Sequence, residues 1–79
     1  MDIKVVGAGC DKCDRLYENV LEAVKLTHVD ATVTKVEDLI ETVKLGVMTA
    51  PTLMIDGRQV IKGTVASVKD ICRQIEKLK

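Results

Sequence analysis

Two cysteines, Cys10 and Cys13, lie three positions apart between a short apolar run and a longer helical pattern. The run at positions 3–6 is short and largely β-branched, which is typical of a buried strand, while apolar positions 16, 20, 21 and 24 recur with helical spacing. At a helix N-terminus, this spacing brings both sulfurs onto one turn, close enough for a disulfide. The pair is therefore predicted at a strand–helix junction.

The first turn of a helix favours thiolate chemistry at such a pair. Unpaired backbone N–H groups and the positive end of the helix dipole lower the pKa of a thiol there. Lys12 adds a positive charge between the cysteines and Asp11 partly opposes it, so both are candidate pKa-tuning residues. The predicted chemistry is thiolate attack on a disulfide, with Cys10 attacking and Cys13 resolving. The same two thiols also suit a soft metal ion, so a metal-binding function stays an alternative.

Length and charge narrow the classes of protein that this chain can belong to. Its 79 residues make one predicted domain, residues 1–79, and its 12 basic and 12 acidic residues balance, which favours neither nucleic acid nor an anionic membrane. The N-terminus lacks the basic and apolar segments of a signal peptide, and no apolar run approaches the roughly 20 residues of a membrane span. Three cysteines with one close pair make a poor disulfide framework. We therefore expect a cytoplasmic protein.

Hydrophobic periodicity predicts seven elements in the order β-α-β-α-β-β-α. The predicted strands cover residues 2–7, 29–36, 52–55 and 59–61, and the predicted helices cover residues 11–26, 38–45 and 68–78. The first crossover makes strands one and two parallel, because such connections are right-handed. The Asp56-Gly57 link between apolar runs predicts an antiparallel hairpin. A mixed four-stranded sheet with helices on both faces follows, which is an α/β fold.

Within these elements, several residues carry specific expectations. The short second helix is predicted to turn Leu39, Ile40 and Val43 inward, and to end at a C′ glycine, Gly46. Ser67 is the predicted N-cap of the last helix.

Three further residues could carry chemistry but are interpreted as structural. Cys72 lies in an amphipathic stripe and is predicted to be a small buried hydrophobe. Tyr17, within the first helix, is predicted to be a packing residue of that helix, and His28 is predicted to be a polar loop residue.

In this order of elements the chain resembles the thioredoxin-fold superfamily, reduced to its minimal core. Three features match in register: Cys10 to Cys13 after the first strand, the run Thr49-Ala50-Pro51-Thr52-Leu53 opening the third strand, and Gly63 after the fourth. The length and the run from Ala50 to Gly57 look most like the small archaeal and bacterial thioredoxin-like, or redox-active disulfide, proteins.

This resemblance implies a sheet of order 2-1-3-4 and a reversible Cys10–Cys13 disulfide. It implies that Pro51 is cis and packs against that disulfide, and that the backbone at Ala50 pairs with an extended substrate segment. Thr49, Ala50 and Pro51 are therefore the expected substrate-binding residues. The expected partners are a disulfide-containing protein and an unidentified reductase, and we expect a monomer that needs neither a cofactor nor a metal.

The chain also departs from the pattern of its relatives in that superfamily. Gly9 stands where thioredoxin has tryptophan, Asp11-Lys12 replaces its Gly-Pro dipeptide, and Lys4 occupies the place of its buried acid. The loop leading to Cys13 also superficially looks like the metal-binding loop of small copper chaperones, which keeps a Cu(I) or Zn carrier as the alternative. Against that alternative, Ala8 replaces the methionine of those loops and the chain ends in a helical pattern.

Overall fold

The computed structural model describes residues 1–7 and 11–78, and its elements follow the predicted order. They are β1 (Asp2–Val6), α1 (Asp11–Thr27), β2 (Thr32–Val36), α2 (Leu39–Lys44), β3 (Thr52–Ile55), β4 (Arg58–Lys62) and α3 (Val68–Leu78). The largest difference from prediction is at β2, which begins at Thr32 instead of residue 29. The preceding Val29 and Ala31 still pack against the core as partly buried side chains.

The four strands form one mixed sheet of order β2-β1-β3-β4. Strand β1 pairs with β2 in parallel and with β3 antiparallel, and β3 pairs with β4 antiparallel. The predicted strand order is confirmed. Because β1 is central, its C-terminal end carries the chain towards the cysteine pair from the middle of the sheet.

The β3–β4 hairpin forms at the predicted Asp-Gly link. Asp56 and Gly57 have φ angles of 50° and 84°, and two positive φ angles are the signature of a type I′ turn. The turn is also tied to the start of β1, because the Asp2 N–H donates to the Asp56 carboxylate over 2.7 Å. This bond supports the β1–β3 register, in which Ile3 lies opposite Ile55.

The main hydrophobic core lies on the face of the sheet that α1 and α3 cover. Alternate side chains of the central strands enter it, as a strand with a period of two requires. Its buried members are Ile3, Val5, Leu16, Val20, Ala23, Leu53, Ile55, Ala66, Ile71 and Ile75. Burying an aliphatic side chain of this size stabilises a fold by about 1.5–3 kcal/mol, so this face supplies most of the hydrophobic stabilisation.

A smaller cluster lies on the opposite face, near α2. It consists of Val6, Val36, Val47 and Met54, with Leu45 packed against it. The prediction that α2 turns its apolar side chains inward is wrong. Leu39, Ile40 and Val43 are 73%, 68% and 76% exposed, and α2 buries none of its residues. The helix has six residues, less than two turns, and the segment after it supplies the packing instead.

Both predicted helix boundaries carry the expected caps. Gly46 follows the end of α2 with a φ of 73°, the left-handed conformation expected at C′. The Ser67 hydroxyl accepts a hydrogen bond from the Asp70 N–H at 3.2 Å, which caps the N-terminus of α3. The Gly46 conformation sets where the chain leaves α2 for residues 49–51, which we call the proline loop, and the Ser67 bond sets where it enters α3 after β4.

Candidate redox site

Cys13 lies in the first turn of α1, which begins at Asp11, close to the predicted start. Its side chain is 1% exposed and is disulfide-bonded. Cys10, together with Ala8 and Gly9, falls outside the described residues. The expectation of a Cys10–Cys13 disulfide therefore stays a prediction. What the structure does describe is a buried, oxidised sulfur at the positive end of the helix dipole.

Gly7 brings β1, α1 and the proline loop close together. Its N–H donates to the Val36 carbonyl at 2.9 Å, which extends the pairing of β1 with β2 by one residue. A Cβ atom on Gly7 would lie 2.3 Å from the Cys13 Sγ and 3.4 Å from the Ala50 Cβ. The sulfur and the Ala50 methyl group therefore both lie beside the space that a side chain at position 7 would occupy. A larger residue cannot occupy position 7 unless the sulfur moves.

The loop that opens β3 lies beside this glycine and is held by its own hydrogen bonds. The Ala50–Pro51 peptide bond is cis, the isomer that the resemblance implies. The Thr52 hydroxyl donates to the Thr49 carbonyl at 2.7 Å, and the Gly63 N–H donates to the Pro51 carbonyl at 2.8 Å. Pro51 and Thr52 are buried, whereas Thr49 and Ala50 are exposed. The loop thus presents its first half to solvent next to Cys13 and anchors its second half in the sheet.

An apolar groove continues from the exposed half of this loop. It has a volume of about 320 Å³. Its lining comes from the end of β1, from α2 and from the proline loop: Gly7, Leu39, Thr42, Val43, Val47, Met48, Thr49 and Ala50. Met48 is 95% exposed, and Leu39 and Val43 are two of the three α2 side chains that the sequence predicts to face inward. The exposed apolar side chains of α2 therefore form one wall of a groove that reaches the proline loop.

An ion-pair cluster lies at the N-terminal end of α1. The Lys35 ammonium, at the end of β2, pairs with the Asp14 carboxylate and lies 3.2 Å from a Glu37 carboxylate oxygen. It also lies 5.7 Å from the centre of the Tyr17 ring, within the range of a cation–π contact. The pKa of Lys35 is raised above its ordinary value, first by the hydrogen bond to Asp14 and then by that to Glu37, while desolvation opposes the rise.

The residues expected to tune the thiols lie where the sequence predicts. Asp11 and Lys12 are both in the first turn of α1 and both are exposed. The sequence motifs do not indicate the pairing of Lys35 with Asp14 beside Cys13. The signal that could have found them is a lysine inside an alternating strand that ends beside the N-terminus of α1.

The metal alternative uses Cys10 together with Cys13, and Cys10 falls outside the described residues. No group of three or more His, Cys, Asp or Glu side chains that could hold a metal ion occurs among residues 1–7 and 11–78. His28 follows the C-terminal end of α1, with Cys13 in the first turn of that same helix. Cys72 is a free thiol on α3, half-buried against the main core.

Across the described ranges, none of the helices is long and apolar enough to cross a membrane.

Comparison with known proteins agrees with this geometry. Residues 1–76 match the family described as thioredoxin domain. A thioredoxin of Methanothermobacter thermautotrophicus is 37% identical over 71 residues, covering 90% of this chain and 92% of the relative. A thioredoxin of Methanocaldococcus jannaschii is 35% identical over 74 residues, covering 94% of this chain and 85% of the relative.

The fold and the site together define a minimal thioredoxin-like α/β protein. The chain belongs to the thioredoxin domain family. That membership supports a general role as a thiol–disulfide oxidoreductase.

Proposed function

We propose that the protein is a thiol–disulfide oxidoreductase that uses a reversible Cys10–Cys13 disulfide, with Cys10 as the nucleophile and Cys13 as the resolving thiol. The observation that carries the proposal is the buried, disulfide-bonded Cys13 sulfur, which lies against Gly7 beside the exposed Ala50. A shielded sulfur suits a thiol that need reach only its neighbour. The attacking thiol must meet a bulky substrate, a role that the proposal gives to Cys10.

The reaction exchanges one disulfide for another in two steps. The Cys10 thiolate attacks one sulfur of the substrate disulfide, and the second substrate sulfur leaves as a thiolate that takes a proton from water. The Cys13 thiol then loses its proton and attacks the Cys10 sulfur, which releases the first substrate sulfur as a thiolate. Two electrons have passed from the protein dithiol to the substrate. An unidentified reductase returns them by reducing the Cys10–Cys13 disulfide.

In this proposal Thr49, Ala50 and Pro51 bind the substrate chain next to the substrate sulfur that Cys10 attacks. Ala50 is exposed, while its neighbour Pro51 is fixed by the Gly63 N–H, so the loop offers a rigid edge to an extended chain. Asp11 and Lys12 are proposed to tune the thiol pKa from the first turn of α1. The protein is proposed to work in the cytoplasm as a monomer, without a bound cofactor or metal.

The apolar groove favours a protein substrate over a small disulfide. Leu39, Val43 and Met48 form an apolar surface beside the redox loop that a small polar disulfide would leave uncovered. A peptide segment with large apolar side chains next to its cystine would cover it, and each side chain so buried contributes about 1.5–3 kcal/mol before ordering costs.

The proposed function is tested by reduction of a protein disulfide, with insulin as substrate and dithiothreitol as the recycling reductant. The parent protein should accelerate reduction, Cys10→Ser should abolish the acceleration, and Cys72→Ala should retain it as the matched cysteine control. A parallel Cu(I) titration separates the alternative. Tight binding of Cu(I) by a protein that does not reduce insulin would overturn the redox proposal in favour of metal carriage.

The contribution of the groove is tested with two substrates. Leu39→Ser combined with Met48→Ser should raise the KM for insulin about tenfold, which corresponds to about 1.4 kcal/mol. It should leave the rate with a small aromatic disulfide unchanged. Equal losses with both substrates would show that the groove does not select protein disulfides.

A further inference from the structure

The segment that connects α2 to the proline loop carries part of the groove wall. It consists of Gly46, Val47 and Met48, and the last two line the groove. A second cavity, of about 480 Å³, is lined by all three together with Val43. The Gly46 and Val47 N–H groups donate to carbonyls of α2 at 3.0 and 3.2 Å, but α2 buries none of its own residues. A fixed position for this wall therefore depends on contacts with the sheet.

Strand β4 supplies such a contact through Gln59. In the β3–β4 pairing, Gln59 lies opposite Met54, so both side chains are on one face of the sheet. Met54 packs there with Val47 in the small cluster. From this face the Gln59 Nε2 donates to the Gly46 carbonyl over 3.1 Å. The hairpin is thus bonded to the connecting segment, two residues before the exposed Met48.

The same strand holds the other end of this stretch. The β3–β4 pairing leaves one extra residue in β4, between Gln59 and Ile61, which is a β-bulge. The extra residue brings Gly63 into line with Pro51, and the Gly63 N–H donates to the Pro51 carbonyl at 2.8 Å. Strand β4 therefore holds residues 46–51 at both ends, with Gln59 at the end beside α2.

We propose that Gln59 is a positioning residue for the groove, which holds residues 46–48 in place so that Met48 meets the substrate chain. The inference rests on the proposed function in taking the groove as the surface that binds a protein disulfide. A loose segment would have to become ordered when the substrate binds, and such ordering costs free energy. The hydrogen bond from Gln59 lowers that cost, because it orders the segment before the substrate arrives.

The test compares Gln59→Leu with the parent in the steady-state reduction of insulin. Leucine is similar in size but cannot donate, so the variant should raise the KM about three- to fivefold, the effect of one net hydrogen bond, and leave kcat unchanged. Gln59→Glu keeps the shape but only accepts, so it should raise the KM as well. The rate with a small aromatic disulfide, which does not extend to Met48, should stay at the parent value.

Gln74→Leu is the matched control. Gln74 is the other glutamine of the chain and is also partly buried. It lies on α3, which covers the opposite face of the sheet, so its replacement should leave the KM for insulin unchanged. Circular dichroism of each variant checks that the helices are intact.

Amide hydrogen exchange gives a second readout, which does not depend on the redox chemistry. The Gly46 and Val47 N–H groups should exchange about three- to tenfold faster in Gln59→Leu, because the segment opens more often once the hydrogen bond is lost. In Gln74→Leu they should exchange at the parent rate.

The two readouts separate the inference from the proposed function. If the parent reduces insulin, then parent exchange rates or a parent KM in Gln59→Leu would overturn the inference alone. Equal losses with insulin and the small disulfide would also overturn it, because they would make Gln59 a merely structural residue. A parent that fails to reduce insulin would overturn the proposed function, and the exchange rates would still decide whether Gln59 holds the segment.

Discussion

The two faces of the sheet are built differently. The face under α1 and α3 holds a continuous core in which Leu16, Leu53 and Ile71 are fully buried. The face near α2 holds a cluster of four buried residues, and the helix beside it presents three large apolar side chains to solvent. The first arrangement stabilises the fold. The second leaves apolar surface exposed beside the loop of residues 49–51, where the proposed function places the substrate.

Lys4 shows the same contrast within one central strand. Its neighbours Ile3 and Val5 are fully buried under the helices, but Lys4 points to the face near α2 and pairs with Asp2 at 2.8 Å. A charged side chain on a central strand is tolerated because its face is incompletely covered. A charged residue within β1 thus marks the face of the sheet that the helices leave open. It stands at the position where thioredoxin carries a buried acid.

The largest effect that separates the two faces should be on stability. Leu16→Ala should lower the free energy of unfolding by about 2–5 kcal/mol, because it leaves a cavity in the main core. Leu39→Ala, the matched change on α2, should lower it by less than about 0.5 kcal/mol, since the side chain is 73% exposed. Urea unfolding followed by circular dichroism measures both.

A milder core change guards against failure of Leu16→Ala to fold. Ile75→Val should cost about 0.5–1.5 kcal/mol, still more than the α2 variant. Equal costs on the two faces would contradict the division of labour.

A smaller loss of stability, with a larger effect on activity, is expected where the end of β1 meets the proline loop. Gly7→Ala places a methyl group at the Cys13 sulfur and should cost about 1–3 kcal/mol through overpacking. It should also slow insulin reduction strongly, because the sulfur or the loop must shift. Gly57→Ala is the matched control: its Cβ meets nothing within 4 Å, so activity should survive. Normal activity in Gly7→Ala would show that the close approach is not needed.

The smallest effect concerns pH. The pKa of Lys4 is raised by its hydrogen bond to Asp2, and that of Lys35 by its hydrogen bond to Asp14, both above the ordinary 10.5. The stability that these pairs contribute is therefore fully present below pH 10.5 and is lost as pH rises through the raised values. Since both pairs are exposed, the loss should be small and weaker in salt.

Thermal unfolding across this range measures the effect. The combined Lys4→Met and Lys35→Met variant should lose less stability above pH 10.5 than the parent, whereas Lys25→Met should behave as the parent does. A parent-like loss in the combined variant would assign the alkaline effect to other groups.

Sequence periodicity predicts most of this fold because its signals are local. The Asp56-Gly57 turn, the Gly46 and Ser67 caps and the stripes of α1 and α3 each follow from neighbouring residues. The orientation of α2 does not, because a six-residue helix has an apolar stripe whether it meets a core or a groove. Its three apolar residues alone do not tell which.

The site is likewise predictable only where a local motif marks its residues. Cys13 and the Thr49–Pro51 loop follow from a motif and a resemblance. The approach of Gly7 to the Cys13 sulfur, and of Lys35 to Asp14, depends on how β1, β2 and α1 pack. Such contacts between distant positions leave little trace in a single sequence.

The central claim is that Cys10 attacks and Cys13 resolves, and trapping of a mixed disulfide tests it most directly. Each single serine variant, in a Cys72→Ala background, is mixed with native, disulfide-bonded insulin and analysed on a non-reducing gel. Cys13→Ser should accumulate a covalent complex that dithiothreitol releases, because its attacking thiol has no partner to resolve the bond. Cys10→Ser should trap none, since the Cys13 sulfur is 1% exposed. A complex with Cys10→Ser and none with Cys13→Ser would contradict the assignment.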